Sequence, residues 1–186
     1  ILPIEEIKLP GMHNVENFLA AISAVIPEVS IKSIIHVAKN FSGVEHRNEF
    51  VRTVKGVSFY NDSIGSSPTR TTATLKAFKR KVILIAGGYD KKLCYDELGE
   101  IIHNHVKLMV LMGDTADKIE QAYKKYIVKE NADAIPIVRV TNMQDAVNAA
   151  YQNAYSGDIV VLSPASASFD LYSNFVERGN HFKEIV

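Results

Sequence analysis

Cysteine occurs once in this sequence, at Cys94, and neither charge dominates: 21 Lys and Arg stand against 21 Asp and Glu, for a formal net charge of +0. One cysteine excludes an internal disulfide and any metal site built from cysteines. It suits a reducing compartment, so a cytoplasmic location is expected. Zero net charge argues against nucleic acid or a membrane surface as a partner. No apolar run comes near the about 20 residues that a membrane-spanning helix needs. No signal peptide is expected. The glycine fingerprint G-x-G-x-x-G is missing, so a nicotinamide site has little support, and so is the phosphate-binding loop G-x-x-x-x-G-K-[ST]. No spacing of His, Asp and Glu resembles a metal site. Ser166-Ala167-Ser168 lacks the pattern of a nucleophile elbow. Nothing repeats, and no segment is of low complexity. The chain opens on Ile1-Leu2-Pro3 without an initiator Met, and the expectation is a fragment of a longer protein.

What remains is an ordinary globular composition. An apolar fraction of 47% supports a real core. The length allows one domain of usual size plus a smaller piece. Residues 1–10 read as extended up to Pro10-Gly11. A helix follows from Met12, with Val15, Phe18, Leu19 and Ile22 on one face and His13, Asn14 and Asn17 in its first turn. Capping by His13 or Asn14 explains one of these polar groups but not all three. A second helix, 30–40, turns Ile31, Ile34, Ile35 and Ala38 inward and stops at Ser42-Gly43. Two helices of this size cannot bury their apolar faces alone, and they read as the tail of a preceding domain over 1–43.

From residue 44 the pattern changes. A charged linker holds His46-Arg47, and strands 50–54 and 57–60 flank the hairpin turn Lys55-Gly56. Helices are then expected over 68–78, 96–106, 114–127, 142–154 and from about Asp170. Thr141 and Gln144 form an expected capping box for the fourth of these. Strands are expected over 82–86, 108–112, 135–140 and 159–162. Continuous apolar strands are buried on both faces, and strands alternating with helices form right-handed parallel units. Residues 44–186 therefore read as an α/β domain: a Rossmann-like, doubly wound, mostly parallel sheet with an antiparallel edge hairpin, preceded by two helices.

In such a sheet the strand ends share one rim, where ligands bind. The expected rim holds Asn61-Asp62-Ser63 with Ser66, Gly87 to Lys92, Gly113-Asp114-Thr115, and Ser163 to Ser168. Hydroxyls, backbone amides at helix starts and lysines suit a small anion. The stretch 61–69 has nine small or polar residues where two suffice for a turn. It is either a cap, with Ser67 or Thr69 capping and Pro68 in the first turn, or a ligand loop. For Lys91 and Lys92 the competing reading is solvated loop charge. His36, His103 and His105 lie within helices and read as structural or solvent-facing; His46, beside Arg47, is the more interesting histidine.

Five separated motifs occur in order: Gly11-Met12-His13-Asn14-Val15-Glu16-Asn17; His46-Arg47; Asn61-Asp62-Ser63; Ser163-Pro164-Ala165-Ser166-Ala167-Ser168-Phe169-Asp170; and Asn174-Phe175 with Arg178-Gly179-Asn180-His181-Phe182. Together they closely resemble the Mur ligases of peptidoglycan synthesis, across essentially the whole chain. The ending S-P-A-x-A-S-x-D…F…R-G-x-x-F resembles the branch that adds D-glutamate to UDP-N-acetylmuramoyl-L-alanine. The resemblance implies an ATP-dependent ligase. ATP phosphorylates the carboxylate, and the amine of D-glutamate attacks the acyl phosphate to give the amide. It implies adenine contacts for Asn14 and Asn17, and phosphate contacts for Arg47 with His46 beside it. Asp62 would hold the ribose. Ser66, Lys91, Ser168 and Phe169 would contact D-glutamate, with Phe175 nearby. Magnesium ligands, the phosphate-binding loop and the muramyl-nucleotide domain are expected in other domains of the same protein, and no residue here is assigned to the bond-making step. A monomer is expected, and the chain alone is expected to be inactive.

Two features depart from the family pattern. Lys-Ala-Thr-Asn usually follows Asn-Asp-Ser, whereas this chain has Ile64-Gly65-Ser66-Ser67. Ser66 keeps a hydroxyl, but Ile64 removes a charge that Lys91, Lys92 or Arg70 would have to supply. The spacing after Gly87-Gly88 favours Lys91 over Lys92. The alternatives are another amino-acid ligase of the same type or a non-catalytic nucleotide-binding Rossmann module.

Overall fold

The computed structural model describes residues 1–9 and 11–186, apart from the side chain of His13. The expected break at Pro10 and any capping by the His13 ring lie outside the described residues. The chain forms two compact units, 1–44 and 45–186.

The first unit opens with a short 3-10 turn, Ile4–Glu6, inside the stretch expected to be extended. Helix α1 (Met12–Val25) starts after Gly11, whose φ of 99° and lack of a side-chain cap leave Asn14 within the first turn rather than at the cap. Helix α2 (Ile31–Asn40) is capped by Ser30, whose hydroxyl accepts from Ser33 N. Its inward residues are Ile34 and Ala38, whereas Ile31, expected inside, is exposed. Phe18 and Phe41 meet edge-on with centroids 6.4 Å apart.

The second unit is built on a six-stranded sheet in the order β1-β2-β6-β3-β4-β5. Strands β1 (Glu49–Val54) and β2 (Val57–Asn61) pair antiparallel around Lys55-Gly56, where φ values of 45° and 85° supply the left-handed turn that such a hairpin requires. β2, β6 (Ile159–Leu162), β3 (Val82–Ala86), β4 (Val106–Leu111) and β5 (Ile137–Arg139) run parallel. The expected fold class is the one observed.

β3 is buried at all five positions, and its side chains alternate between two cores. Val82, Leu84 and Ala86 meet Leu75 of α3 (Pro68–Ala77), Leu98 and Ile102 of α4 (Leu98–His105), and Ile119 and Tyr123 of α5 (Ala116–Glu130). Ile83 and Ile85 meet Met143, Ala146 and Ala150 of α6 (Met143–Gln152) and Phe182 of α7 (Phe175–Ile185). Helices thus cover both faces, which is why the strands lack polar alternation.

Several boundaries differ from expectation for local reasons. α4 ends at His105 because Val106 already pairs with Val82. β5 is shorter than expected because Pro136 has no N–H to give; its carbonyl accepts from Met109 N. α7 starts at Phe175, not near Asp170, because the amides of Leu171 and Tyr172 both turn back to the Ser168 carbonyl. The Thr141–Gln144 capping box does not form: Asn142 caps α6, its Oδ1 accepting from Asp145 N at 2.8 Å. No helix among the described residues is long and apolar enough to cross a membrane.

Candidate active site

Parallel strands send four loops to one edge of the sheet: 62–67 after β2, 87–97 after β3, 112–115 after β4 and 163–174 after β6. Arg178, at 1% exposure, joins two of them. Its Nε donates to Ser63 Oγ at 3.0 Å, its Nη2 to the carbonyls of Ser63 and Ser166, and its Nη1 to those of Ser166 and Ala167. All these acceptors are neutral. Burial lowers the guanidinium pKa to about 10, so it remains a cation at neutral pH. Arg178 stands in one of the sequence motifs without an expected role, because its partner Ser63 lies 115 residues earlier and its other acceptors are backbone carbonyls, which carry no sequence signal.

A second network ties in the remaining loops. Ser166 Oγ lies 2.7 Å from Thr115 Oγ1 and 2.8 Å from Tyr95 Oη. Thr115 donates through both its hydroxyl and its amide to the Gly88 carbonyl. Gly87 and Gly88 sit at φ 109° and 148°, and a Cβ on Gly88 would overlap the Ala167 carbonyl. Only glycine lets the β3 loop lie this close to the β6 loop. Asp170 Oδ2 accepts weakly from Asp114 N at 3.4 Å; burial, reinforced by the charge of Asp114, raises its pKa.

The predicted nucleotide residues fall into two sets. Asn14 and Asn17 belong to the first unit, where Asn17 Nδ2 lies 3.5 Å from Asn14 Oδ1. His46, Arg47 and Asp62 belong to the second. His46 is buried at φ 62° and accepts through Nδ1 from Asn61 Nδ2 at 2.9 Å, which puts the ring proton on Nε2. Burial pushes its pKa down, and the Lys183 charge adds to this. Arg47 is exposed. Asp62 is buried, with Oδ2 accepting from Thr74 and Ser163 hydroxyls at 2.7 Å each and Oδ1 from Asn48 N at 3.2 Å. Burial raises its pKa against the pull of those hydrogen bonds.

The predicted amino-acid residues are also distributed. Lys91 is exposed, and Ser66 is half-buried beside the first turn of α3. Lys92 has φ 59°, and its amide donates to Asp90 Oδ1 at 2.8 Å. Ser168 is buried and Phe169 is 60% exposed, its ring 5.8 Å from that of Tyr89. Phe175 lies elsewhere on the rim, edge-on to His46 at 6.0 Å, with its carbonyl accepting from Ser63 Oγ. Ser67 holds the cap position of α3 with Pro68 next, yet its side chain makes no capping bond. The loop 61–69 is therefore more than a cap: Ser63 and Asp62 anchor it to α7, α3 and β6.

Doubly wound sheets bind their ligands outside the carboxyl ends of the strands, which is where this rim lies. The family model described as the Mur ligase glutamate ligase domain matches residues 46–166. The chain belongs to the Mur ligase family. Particular relatives narrow the likeness. The UDP-N-acetylmuramoylalanine--D-glutamate ligase of Acetivibrio thermocellus is 57% identical over 187 residues, covering 100% of this chain and 40% of that protein. The protein of the same name from Clostridium tetani is 53% identical over 183 residues, covering 98% of this chain and 40% of its own length. The chain thus spans 40% of the length of these relatives. Among solved structures, a Mycobacterium tuberculosis folylpolyglutamate synthase complexed with ADP shares the fold at a TM-score of 0.64 and 13% identity, over 95% of this chain and 41% of that one. A murein peptide ligase from Psychrobacter arcticus does so at 0.55 and 20% identity, over 85% and 35%.

Proposed function

We propose that this chain is the amino-acid-binding part of an ATP-dependent ligase that joins D-glutamate to UDP-N-acetylmuramoyl-L-alanine through an amide bond. In this reading residues 1–43 are the tail of the central ATP-binding domain and 44–186 the C-terminal ligase domain, acting in the cytoplasm as a monomer. The observation that carries it is the joining of the β2 and β6 loops by Arg178 at the residues that the family resemblance marks.

D-glutamate carries two carboxylates, which need a cation and neutral donors. Lys91 supplies an exposed ammonium, and Ser66 and Ser168 supply hydroxyls. Phe169 gives the methylene chain apolar surface, and Phe175, which the resemblance puts nearby, stands against His46. A nucleotide fits the remaining polar groups: Asn14 and Asn17 offer amides to a base, and Arg47 offers a guanidinium to phosphate. Asp62 would reach a ribose by exchanging one of its three hydrogen bonds. ATP would supply the phosphoryl group that activates the acceptor carboxylate. Among the described residues no three His, Cys, Asp or Glu side chains converge to hold a metal ion. Magnesium ligands would lie in other domains of the same protein.

The test places this chain in the full-length Acetivibrio thermocellus ligase, in place of the segment it matches, and follows D-glutamate-dependent ADP release. Lys91→Ala is expected to raise the KM for D-glutamate about tenfold or more, the loss of one charge-assisted contact, and to leave the KM for ATP within about twofold. An unchanged D-glutamate KM would overturn the assignment. The chain by itself, having no phosphate-binding loop in its sequence, is expected to release no ADP.

A further inference from the structure

Tyr89 has no part in the roles assigned so far, yet three observations converge on it. Its amide donates to the Ala167 carbonyl at 3.0 Å, an isolated antiparallel bridge between the β3 and β6 loops. The same carbonyl accepts from Arg178 Nη1 at 2.9 Å, so the peptide that leads into Ser168 is held from two sides. The Tyr89 ring then meets the Phe169 ring edge-on, with centroids 5.8 Å apart and planes at 72°. Both rings remain open to solvent, at 41% and 60%, while every residue from 163 to 168 is buried. An aromatic pair left exposed beside a buried turn adds little to the core. It does fix the direction of the Phe169 ring next to Ser168, and Tyr89 itself sits on the loop that carries Lys91 two residues further on.

We propose that Tyr89 is a positioning residue for the amino-acid substrate: it buttresses Phe169, and the bridge at Ala167 holds Lys91 and Ser168 close enough to act on one dicarboxylic ligand. This rests on the reading of the rim as the D-glutamate site. Packing alone would predict a different outcome, since loss of an exposed ring with a purely structural role lowers stability without separating one substrate from another.

The experiment compares Tyr89→Ala, Tyr89→Phe and Lys91→Ala in the same full-length ligase carrying this chain. Tyr89→Ala is expected to raise the D-glutamate KM roughly three- to tenfold, the worth of an aromatic pair. The kcat and the KM for ATP should stay within about twofold, and Tyr89→Phe should restore the parent values. If Lys91→Ala raises the D-glutamate KM and Tyr89→Ala does not, the rim reading stands and this assignment falls. If neither variant moves it, the rim reading falls first. A parallel rise in both substrate KM values with a lower unfolding midpoint would also overturn the assignment, and so would failure of Tyr89→Phe to rescue.

Discussion

Gly179 shows how a residue can be dictated by one that lies far away in the sequence. It sits inside α7, where alanine would favour the helix by about 1 kcal/mol. A Cβ there, however, would overlap His46 Nδ1 and stand 3.0 Å from Asn61 Nδ2. Neither can yield easily. The His46 ring is buried against Phe175 and bonded to Asn61, and its backbone amide donates to Glu49 Oε2 at 2.9 Å. Overpacking at such a point costs about 1–3 kcal/mol, and the lost His46–Asn61 bond adds about 1. Gly179→Ala is therefore expected to destabilise the second unit by about 2 kcal/mol, after the helix gain is subtracted. Urea unfolding measures this; a neutral or stabilising result would show that the His46 ring has room to move. The pattern Arg178-Gly179 was visible in the sequence, but its cause was not. Periodicity speaks about neighbours in a helix, whereas Arg178 answers to the β2 and β6 loops and Gly179 to His46 in the linker before β1 and Asn61 at the end of β2.

Elements were legible where burial alone decides them. The runs Val82–Ala86 and Ile159–Leu162 have no polar face, which marks central parallel strands, and they lie at the centre of the sheet. Ends of elements were harder, because they are set by hydrogen bonds that several sequences could make equally well. At α6, Thr141 with Gln144 fits a capping box, but Asn142 one residue later makes the bond, and its Nδ2 donates back to Asp145 Oδ2 at 2.8 Å. At α3, Ser67 is a residue type that caps well, yet it makes no side-chain bond. These two helix starts give opposite expectations for the same kind of substitution. Asn142→Ala should cost about 1 kcal/mol, and Ser67→Ala should stay within about 0.5 kcal/mol, as for a surface change that breaks nothing. Paired urea titrations with unchanged slopes would measure both, and the reverse ranking would mean that the caps are misassigned.

At the scale of the whole chain, the two units differ in what they bury. The second has helices on both faces of its sheet and side chains such as Leu84, Ile85, Met109 and Phe182 fully enclosed. In the first, the buried apolar residues among those described are Val15, Ile34 and Ala38, while Leu19, Val25, Ile26, Ile31 and Val37 are exposed. The sequence anticipated this in two helices too small to cover their own apolar faces. Opening free energy follows enclosed apolar contact, and helices with one shared seam open far more readily than central strands. Amides of α1 and α2 should thus exchange with deuterium at least about a hundredfold faster than those of β3 and β6, a gap of about 2.7 kcal/mol in opening free energy. The Lys39–Glu6 ion pair at 2.6 Å does not change that expectation, because both side chains are nearly half exposed and such pairs contribute little. Exchange followed by mass spectrometry on peptides spanning 12–25, 31–40, 82–86 and 159–162 reads the difference directly. Equal protection across the four would mean that the first unit draws its stability from outside its own core. A hundredfold gap would mean that residues 45–186 carry the fold, with Asn14 and Asn17 presented on the less stable of the two units.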